Sequence, residues 1–277
     1  MNRIYSVCWN ITEKCNELCE FCYRTLAEDL SLAENKAIAD KLIEHGVEKI
    51  TFAGGEPLLY KNLFELAEYI KSQKPSILLS LTTNGLLINK NNRETILRLF
   101  DWITFDLEST SVEYHKMVGR GEKHLSKNVD NILFFNNKIN LKINTVATKQ
   151  NINDIPYIWE LIKRFNIKRW KIFRYYPINF KAQDNEDYFS ITDEDYKNLK
   201  DRIMIITKDA NVQIDFNDFE DFRTTYFSIF SNGTLKDNTG NVTCNILQDS
   251  IAECISSIDL TNHMTRKKAY EKFIDKK

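Results

Sequence analysis

The sequence lacks an excess of either charge, a long apolar run, an internal repeat and a low-complexity segment. Lys and Arg together number 38 and Asp and Glu 39, so the overall charge gives no reason to expect binding to a nucleic-acid polymer or an anionic membrane. No apolar run approaches the roughly 18 residues of a membrane span, and the first twelve residues have no apolar signal-peptide core. We therefore expect a cytoplasmic protein without a membrane anchor.

What is present is enough apolar sequence for a large folded unit. The chain has 277 residues, of which 43% are hydrophobic and 28% charged, which suits one large globular domain or a domain with an extension. Three of its six cysteines crowd into residues 15–22, whereas Cys8, Cys244 and Cys254 stand apart. This layout suits a metal site better than a disulfide scaffold.

Short β-rich runs alternate with amphipathic stretches from residue 4 to about residue 175. The runs predict six strands, at residues 4–12, 49–53, 77–83, 102–107, 141–148 and 169–175. Helices are predicted between them, near residues 32–45, 62–73, 92–100, 125–137 and 152–165. Strands that alternate with helices indicate parallel βαβ units. Six such units predict an α/β fold with either a barrel-like or an open doubly wound sheet.

The pattern changes near residue 180. Residues 180–190 are polar and irregular, which predicts a linker or surface loop. A helix is predicted over residues 193–208, with Thr192 as its N-cap. Strands are predicted after it, at residues 212–216 and 226–230.

Cys15, Cys19 and Cys22 form a C-x3-C-x2-C motif directly after the first predicted strand. Three thiolates on one loop leave one iron of a [4Fe–4S] cluster free to bind another molecule. A zinc site would want a fourth Cys or His nearby, and the first histidine is His45. The motif therefore favours an iron–sulfur cluster.

Five other potential ligands receive no role. Cys244 and Cys254 are too few for a second cluster and are interpreted as buried thiols. His115, His124 and His263 lie in polar sequence contexts, for which surface positions are expected.

The cysteine motif, followed by the aromatic Tyr23, resembles that of the radical S-adenosylmethionine superfamily. The resemblance implies a partial (β/α)6 barrel, in agreement with the six predicted strands. It also implies that the three cysteines hold a cluster whose free iron binds S-adenosylmethionine, and that one-electron reduction cleaves this cofactor to a 5′-deoxyadenosyl radical. Residues 1–180 would form the barrel, and residues 181–277 a C-terminal α+β extension that closes the substrate side.

Motifs at the carboxyl ends of the second, third and fourth predicted strands resemble cofactor-binding segments of that superfamily. They comprise a GGE segment for the cofactor amine, an asparagine in a turn, and a Glu-Ser pair for the ribose. The residues are Gly54, Gly55, Glu56, Asn84, Glu108 and Ser109. Glycines let the backbone approach a ligand, and a carboxylate accepts hydrogen bonds from an ammonium group. Barrel folds gather their active sites at these strand ends.

Later segments resemble the viperin-like nucleotide dehydratases. Residues 118–121 are similar to their GRG turn, whose arginine, here Arg120, would pair with the cofactor carboxylate. Residues 142–146 are similar to their KINSV segment, in which Lys142 and Asn144 share one face of the strand. The resemblance assigns Asn144 to the cofactor and Lys142 to the substrate.

A third segment, RWKIF from Arg169, resembles the RWKVF of the same enzymes. Alternation places Arg169 and Lys171 on one face, beside Lys142 of the preceding strand. Three converging cations fit a triphosphate, Arg174 would add a fourth, and Tyr226 is implied near the base or ribose. The alternatives are a solvated basic stripe and, for Tyr226, a core position.

Two differences from these dehydratases bear on the choice of substrate. The viperin-like dehydratases carry a basic residue shortly after the third cysteine, where this chain has Ala27 with Arg24 nearby. This chain also has Cys8 and Asn10 ahead of the cluster motif, at positions where the dehydratases have other side chains. Both differences concern the selectivity for cytidine above all.

The resemblance implies a lyase-type enzyme that dehydrates a ribonucleoside triphosphate (CTP, UTP or GTP) to its 3′-deoxy-3′,4′-didehydro analogue, in antiviral or anti-phage defence. The expected partners are the nucleotide and an electron donor of the flavodoxin or ferredoxin type, and the expected state is a monomer. Two alternatives stay open: a radical maturase that modifies a peptide or small metabolite, and a non-catalytic iron–sulfur or zinc module. The intact cysteine and GGE motifs argue against the second of these.

Overall fold

The structure, a computed structural model, describes residues 4–24, 27–178, 180–236, 241–265 and 267. Strands of these residues form one ten-stranded sheet. They are β1 (Ser6–Thr12), β2 (Lys49–Gly54), β3 (Leu78–Thr83), β4 (Trp102–Asp106), β5 (Asn140–Ala147), β6 (Ile167–Arg174), β7 (Gln213–Asn217), β8 (Ser228–Ile229), β9 (Thr234–Lys236) and β10 (Val242–Asn245). Their order across the sheet is β10-β9-β8-β1-β2-β3-β4-β5-β6-β7.

Strands β1 to β6 are the six predicted strands, and neighbours among them pair in parallel. On one side β7 pairs in parallel with β6, and on the other β8 pairs in parallel with β1. The antiparallel strands β9 and β10 follow β8. Within the described residues β7 and β10 are free edges, so the sheet is an open, partial barrel, which confirms the predicted fold class. The residues after 180 therefore extend both edges of a single sheet.

Helices connect the strands. Those of the described residues are α1 (Leu32–Glu44), α2 (Leu63–Gln73), α3 (Arg93–Leu99), α4 (Val112–Met117), α5 (His124–Phe135), α6 (Ile155–Ile162), α7 (Phe180–Asp184), α8 (Glu186–Phe189), α9 (Asp193–Ile206), α10 (Phe219–Thr225) and α11 (Ile251–Ser256). None of these helices combines the length and the apolar composition needed to cross a membrane. The predicted loop at 180–190 is wrong, because α7 and α8 occupy it. Ala182 and Phe189 pack there against Phe21 and Tyr175, which gives a polar segment an apolar anchor.

Helix α1 illustrates how the helices cover the outer face of the sheet. Ser31 and Glu34 form a capping box that satisfies backbone N–H groups at its start. Ile38, Ala39 and Leu42 are fully buried, and burial of one Leu or Ile side chain contributes about 1.5–3 kcal/mol. The apolar core thus lies outside the sheet, and the inner face is left for polar side chains.

His263 fixes the C-terminal segment to the start of β1. Its Nε2 accepts hydrogen bonds from the backbone N–H groups of Tyr5 and Ser6 at 3.1 and 3.3 Å, and its Nδ1 donates to the carbonyl of Thr225 at 2.8 Å. The side chain is buried. The surface position predicted for His263 is wrong, because three backbone groups satisfy the ring inside the protein.

Cys244 on β10 and Cys254 on α11 form a disulfide, with Cα atoms 5.5 Å apart. Both side chains are buried, but their interpretation as separate thiols is wrong. The turn between the strand and the helix brings the two together, and the carbonyls of Ile246 and Leu247 in this turn accept hydrogen bonds from Lys41 of α1 at 2.7 and 3.2 Å.

Candidate active site

A cavity of about 500 Å³ lies inside the partial barrel, at the carboxyl ends of its parallel strands. Side chains that alternate inward along the strands form its wall. On β2 to β4 these are Thr51, Ala53, Ser80, Thr82, Thr104 and Asp106, and on β5 they are Lys142, Asn144 and Val146. These strands thus present hydroxyl, amide, carboxylate and ammonium groups to the cavity, which suits a polar, charged ligand.

The loop after β1 brings the three cysteines to one side of this cavity, and Cys15, Cys19 and Cys22 all line it. The backbone N–H groups of Glu17 and Arg24 lie 3.4 Å from the Cys15 sulfur and 3.5 Å from the Cys22 sulfur. N–H donors of this kind stabilise cluster thiolates. Burial raises the pKa of all three thiols, so they would ionise in response to a bound metal. The three cysteines and the adjoining cavity fit a [4Fe–4S] cluster with one iron open to a ligand.

The turn after β2 packs tightly against the start of the cysteine loop. Gly54 has a left-handed φ of 129°, and a Cβ at this residue would lie 2.2 Å from the carbonyl oxygen of Thr12. Only glycine fits such a position. Gly54 and Gly55 both line the cavity, so their backbone is open to a ligand.

Glu56 lies behind this turn and is fully buried. Its carboxylate accepts hydrogen bonds from the N–H groups of Leu58 and Asn84, at 3.1 and 2.8 Å, and from the hydroxyl of Thr83 at 2.8 Å. Burial raises the pKa of Glu56 to about 7 in spite of these donors. Asn84 lines the cavity and donates from its side chain to Asn16 of the cysteine loop at 2.8 Å. Glu56 therefore joins the ends of β2 and β3 beneath the cavity wall.

The Glu108-Ser109 pair after β4 is divided between the cavity and the interior. Glu108 lines the cavity. Ser109 is buried, and its hydroxyl donates to Asp154 at 2.6 Å. Asp154 also accepts from the N–H of Thr110 at 2.6 Å. Ser109 thus fixes the segment that presents Glu108.

Arg120 is surrounded by acidic side chains. It donates hydrogen bonds to Glu17 at 2.8 Å and to one carboxylate oxygen of Glu108 at 3.0 Å. Its Nε lies 2.8 Å from the other oxygen of Glu108, and its Nη2 lies 3.7 Å from Asp106. Hydrogen bonds between a guanidinium and carboxylates are charge-assisted and stronger than those between neutral groups. Burial raises the pKa of Glu108, and the Arg120 guanidinium opposes that shift. Arg120 lines the cavity, already paired with carboxylates of its own chain.

His115 and His124 are fully buried next to this group, so the surface positions predicted for them are wrong. His115 bonds to the carbonyl of Ser109 at 3.0 Å, and burial lowers the pKa of His115 to about 3. Glu108 and the two histidines place potential ligand atoms within 4.8 Å of one another. The Arg120 guanidinium already occupies the Glu108 carboxylate, which disfavours a metal ion there.

The three cations that were predicted on β5 and β6 differ from one another in their position relative to the cavity. Lys142 lines the cavity, whereas Lys171 and Arg169 are buried in its wall. Lys171 donates to the hydroxyl of Tyr226, which itself lines the cavity. Arg169 is paired with Asp215 on β7. The β5–β6 register sets Lys142 beside Arg169, but of the three only Lys142 reaches the cavity surface.

Further cations line the cavity from other elements. Arg174 lies in the wall, donates to the carbonyl of Ile191 at 2.6 Å and pairs with Asp193. Arg24 and Lys236 also line the cavity. Lys236 was not predicted as a site residue, because a lysine on a short strand after residue 230 belongs to no recognisable motif.

An aromatic wall, unforeseen from the sequence, closes one side of the cavity. Phe222 of α10 stacks on Tyr226, with ring centroids 5.0 Å apart and an interplanar angle of 25°. It also meets Tyr23 and Phe173, with centroids 6.1 and 6.2 Å away. The closely spaced aromatics of residues 216–230 were the available signal, but α10 itself was not predicted.

Asn10 on β1 adds a polar group to the cavity surface. Its side chain is 5% exposed, and its Oδ1 has no hydrogen-bond partner within the described chain. Asn10 and Cys8 both line the cavity. A buried amide oxygen of this kind is unfavourable unless a ligand donates to it.

Comparisons with known proteins give four informative matches. The profile of the family described as the Radical SAM superfamily matches residues 9–162. An "S-adenosylmethionine-dependent nucleotide dehydratase" of Lacinutrix mariniflava is 30% identical over 98% of this chain, which spans 59% of that protein's length. One of Flammeovirga pacifica is 27% identical over 100% of this chain and 95% of its own length. Among solved structures, Streptococcus suis SuiB bound to S-adenosylmethionine has a TM-score of 0.75 at 17% identity, over 95% of this chain and 68% of SuiB.

Proposed function

The chain belongs to the radical S-adenosylmethionine superfamily, and we propose that it is a nucleotide dehydratase acting on a ribonucleoside triphosphate. Like other members of that superfamily it is an enzyme with a [4Fe–4S] cluster and S-adenosylmethionine as cofactors. The proposed product is the 3′-deoxy-3′,4′-didehydro analogue of CTP, UTP or GTP. One observation carries the proposal: a cavity with cationic and aromatic walls adjoins the cysteine loop, in a chain that relatives named nucleotide dehydratases match over nearly its full length.

When bound, the cluster and S-adenosylmethionine supply a carbon-centred radical that can remove a hydrogen atom. Cys15, Cys19 and Cys22 are the proposed iron ligands. The residues proposed to hold S-adenosylmethionine are Gly54, Gly55, Glu56, Asn84, Glu108, Ser109, Arg120 and Asn144. Glu56 and Ser109 are buried behind the cavity wall, and we assign them an indirect role: they fix the Gly54-Gly55 turn and the Glu108 segment.

The substrate would be held by charge at one end and by aromatic rings at the other. Lys142 and Arg174 both line the cavity and would supply two cations for the phosphate groups. Lys171 would act from within the wall by orienting Tyr226, and Arg169 by supporting Lys142 from the neighbouring strand. The aromatic wall of Phe222 and Tyr226 offers a stacking face for a base and excludes water from the reacting centre.

The remaining parts of the proposal concern the extension and the cellular role. Residues 181–277 are proposed to close the substrate side, because Phe222, Tyr226 and Lys236 line the cavity from that part of the chain. The proposed electron donor is a flavodoxin or ferredoxin, and the proposed active unit is a monomer. The product would serve antiviral or anti-phage defence as a chain terminator.

A second function, modification of a peptide or small metabolite, is favoured by one specific observation. Arg169 is paired with Asp215 and does not line the cavity, so one of the three expected phosphate contacts is engaged within the protein. A neutral substrate would need no such contact.

Anaerobic incubation of the reconstituted enzyme with each of the four ribonucleoside triphosphates tests the proposal. We expect a product lighter by one water from at least one of them, formed together with 5′-deoxyadenosine. Formation of 5′-deoxyadenosine with all four nucleotides and no altered nucleotide would contradict dehydration and favour the second function.

Binding of the nucleotide gives an independent test. Lys142→Ala should weaken nucleotide affinity roughly tenfold or more, as expected for the loss of one charge-assisted contact. Lys171→Ala should also weaken it, because Tyr226 then loses the group that orients it. Lys90→Ala, at an exposed lysine that does not line the cavity, is the control and should not change affinity. Unchanged affinity in both cavity variants would mean that the triphosphate site is misplaced.

A further inference from the structure

We propose that residues 118–121 (the GRG turn) and His124 anchor residues 13–24 (the cluster-binding loop) through the side chain of Glu17, and so control how firmly the protein retains its iron–sulfur cluster. This role is additional to any contact between Arg120 and S-adenosylmethionine. It concerns the cluster alone and does not depend on which substrate the enzyme takes.

The backbone of the GRG turn lies directly against the cluster-binding loop. The N–H of Leu18 donates to the carbonyl of Gly119 at 3.1 Å, and the N–H of Glu20 donates to the carbonyl of Val118 at 3.0 Å. A Cβ at residue 119 would lie 2.4 Å from the carbonyl oxygen of Leu18. The two hydrogen bonds flank Cys19, so the turn determines the path of the chain through a cluster ligand.

Glu17 adds an ionic connection between two of the cysteines. It lies between Cys15 and Cys19, and its side chain is only 3% exposed. One carboxylate oxygen accepts from Arg120 at 2.8 Å and the other faces Nδ1 of His124 at 3.0 Å. A buried carboxylate is unfavourable without partners. Both of these partners belong to segments outside the loop, so they hold Glu17, and the loop with it, inside the protein.

His124, the first residue of α5, is oriented to donate from both ring nitrogens. Nδ1 faces the Glu17 carboxylate, and Nε2 lies 2.9 Å from the carbonyl of Asp106. The amide nitrogen of Asn128 is 3.2 Å from Nε2, but its two hydrogens are taken by the carbonyls of Asn84 and His124, at 2.9 and 3.1 Å. Nε2 is therefore a donor to Asp106, and the ring bridges the cluster-binding loop and the end of β4.

Arg120 completes the connection. It shares its donors between Glu17 and Glu108, and it lies over the ring of Phe21 at 5.5 Å. The charges of Arg120 and Glu17 both act on the sulfur of Cys19. Loss of the Glu17 connection should thus have two effects: the loop should release iron faster, and the potential of the cluster should change, because that potential depends on nearby charge.

The experiment uses the reconstituted holoenzyme under anaerobic conditions without nucleotide, so its outcome is independent of the proposed substrate. We measure the rate of iron transfer to a chelator, and the midpoint potential by redox titration followed by electron paramagnetic resonance. Glu17→Gln and His124→Ala should release iron roughly tenfold faster, as expected for the loss of a charge-assisted hydrogen bond. Glu17→Gln should also shift the potential to a more positive value, because it removes a negative charge.

Conservative variants separate an anchoring role from mere packing. His124→Asn keeps an N–H donor near the position of Nδ1 and should restore slow iron release, whereas His124→Gln places its amide nearer the position of Nε2 and should not. Glu20→Gln is the matched control, because it makes the same change in the same loop at a side chain that is 44% exposed. It should behave like the wild type.

The proposal is overturned if Glu17→Gln and His124→Ala both release iron at the wild-type rate, or if His124→Gln restores retention as well as His124→Asn. The double variant Glu17→Gln/His124→Ala should release iron no faster than Glu17→Gln alone. A rate equal to the product of the two single effects would show that His124 acts by another route, which also overturns the proposal. Should His124→Ala fail to fold, His124→Asn, His124→Gln and Glu17→Gln still decide the question.

Discussion

Replacement of Gly119 by alanine should loosen the contact between the GRG turn and the cluster-binding loop, and Gly121→Ala provides a matched control. Both glycines have a left-handed φ, 84° at Gly119 and 76° at Gly121. An alanine Cβ would lie 2.4 Å from the Leu18 carbonyl oxygen at residue 119 but would meet nothing within 4 Å at residue 121. The two substitutions therefore share a backbone cost and differ in the contact alone.

The magnitudes follow from this geometry. A left-handed φ costs alanine about 1–2 kcal/mol at either residue. At residue 119 the Leu18 carbonyl must also move by at least 0.6 Å, the difference between 2.4 Å and the 3.0 Å limit of real Cβ contacts. This movement disrupts the two backbone hydrogen bonds that flank Cys19, which contribute about 1 kcal/mol each. Gly119→Ala should thus lower the free energy of unfolding by about 3–4 kcal/mol and Gly121→Ala by about 1–2 kcal/mol.

Urea unfolding of the cluster-free protein, followed by circular dichroism, measures both free energies, and chelation of iron from the reconstituted protein measures cluster retention. Gly119→Ala should be the less stable variant and should lose iron faster. Equal free energies of unfolding for the two variants would refute the reasoning, since the contact with Leu18 would then contribute nothing.

Asp215→Asn should lower the free energy of unfolding at neutral pH by about 2 kcal/mol, a value reduced from that of a fully buried ion pair because the Asp215 side chain is 21% exposed. Burial alone would raise the pKa of Asp215, but the Arg169 guanidinium overcomes this and holds it below its usual value. The stabilisation from this pair is therefore present above about pH 4 and is lost as the pH falls through the lowered pKa of Asp215 in the folded protein. Urea unfolding between pH 3 and 7 should show that loss in the wild type and not in Asp215→Asn. Cys254→Ser should lower the free energy of unfolding by about 2–3 kcal/mol, as expected for a cross-link between residues ten apart in sequence. Reductant should lower the free energy of unfolding of the wild type but leave that of the variant unchanged. An equal response of both proteins would contradict the disulfide. Cys19→Ala should abolish cleavage of S-adenosylmethionine and reduce the iron content, while the circular dichroism spectrum stays unchanged. Cleavage at the wild-type rate would show that Cys19 is not a ligand of the cluster.

Local chemistry allowed much of the fold to be predicted from the sequence. The six parallel strands were predicted because apolar runs between helical stretches report burial on both faces of a sheet. Thr192 was predicted as an N-cap and forms a capping box with Asp195, because such a cap depends on residues three positions apart. A shared metal site was likewise predicted from the spacing of Cys15, Cys19 and Cys22 within eight residues. Each of these features depends on backbone geometry over a few residues.

The sequence by itself thus determined the order of the strands along the chain, the cysteine motif and the face that Lys142 and Asn144 share on β5. Only the tertiary structure decided which partner each charged side chain finds. It paired Arg169 with Asp215, 46 residues away, and Glu17 with Arg120 and His124, more than 100 residues away. Alternation along a strand specifies the face on which a side chain lies, but not the opposite charge that another segment brings to it. Those pairings exist only once the sheet has curved and its loops have met.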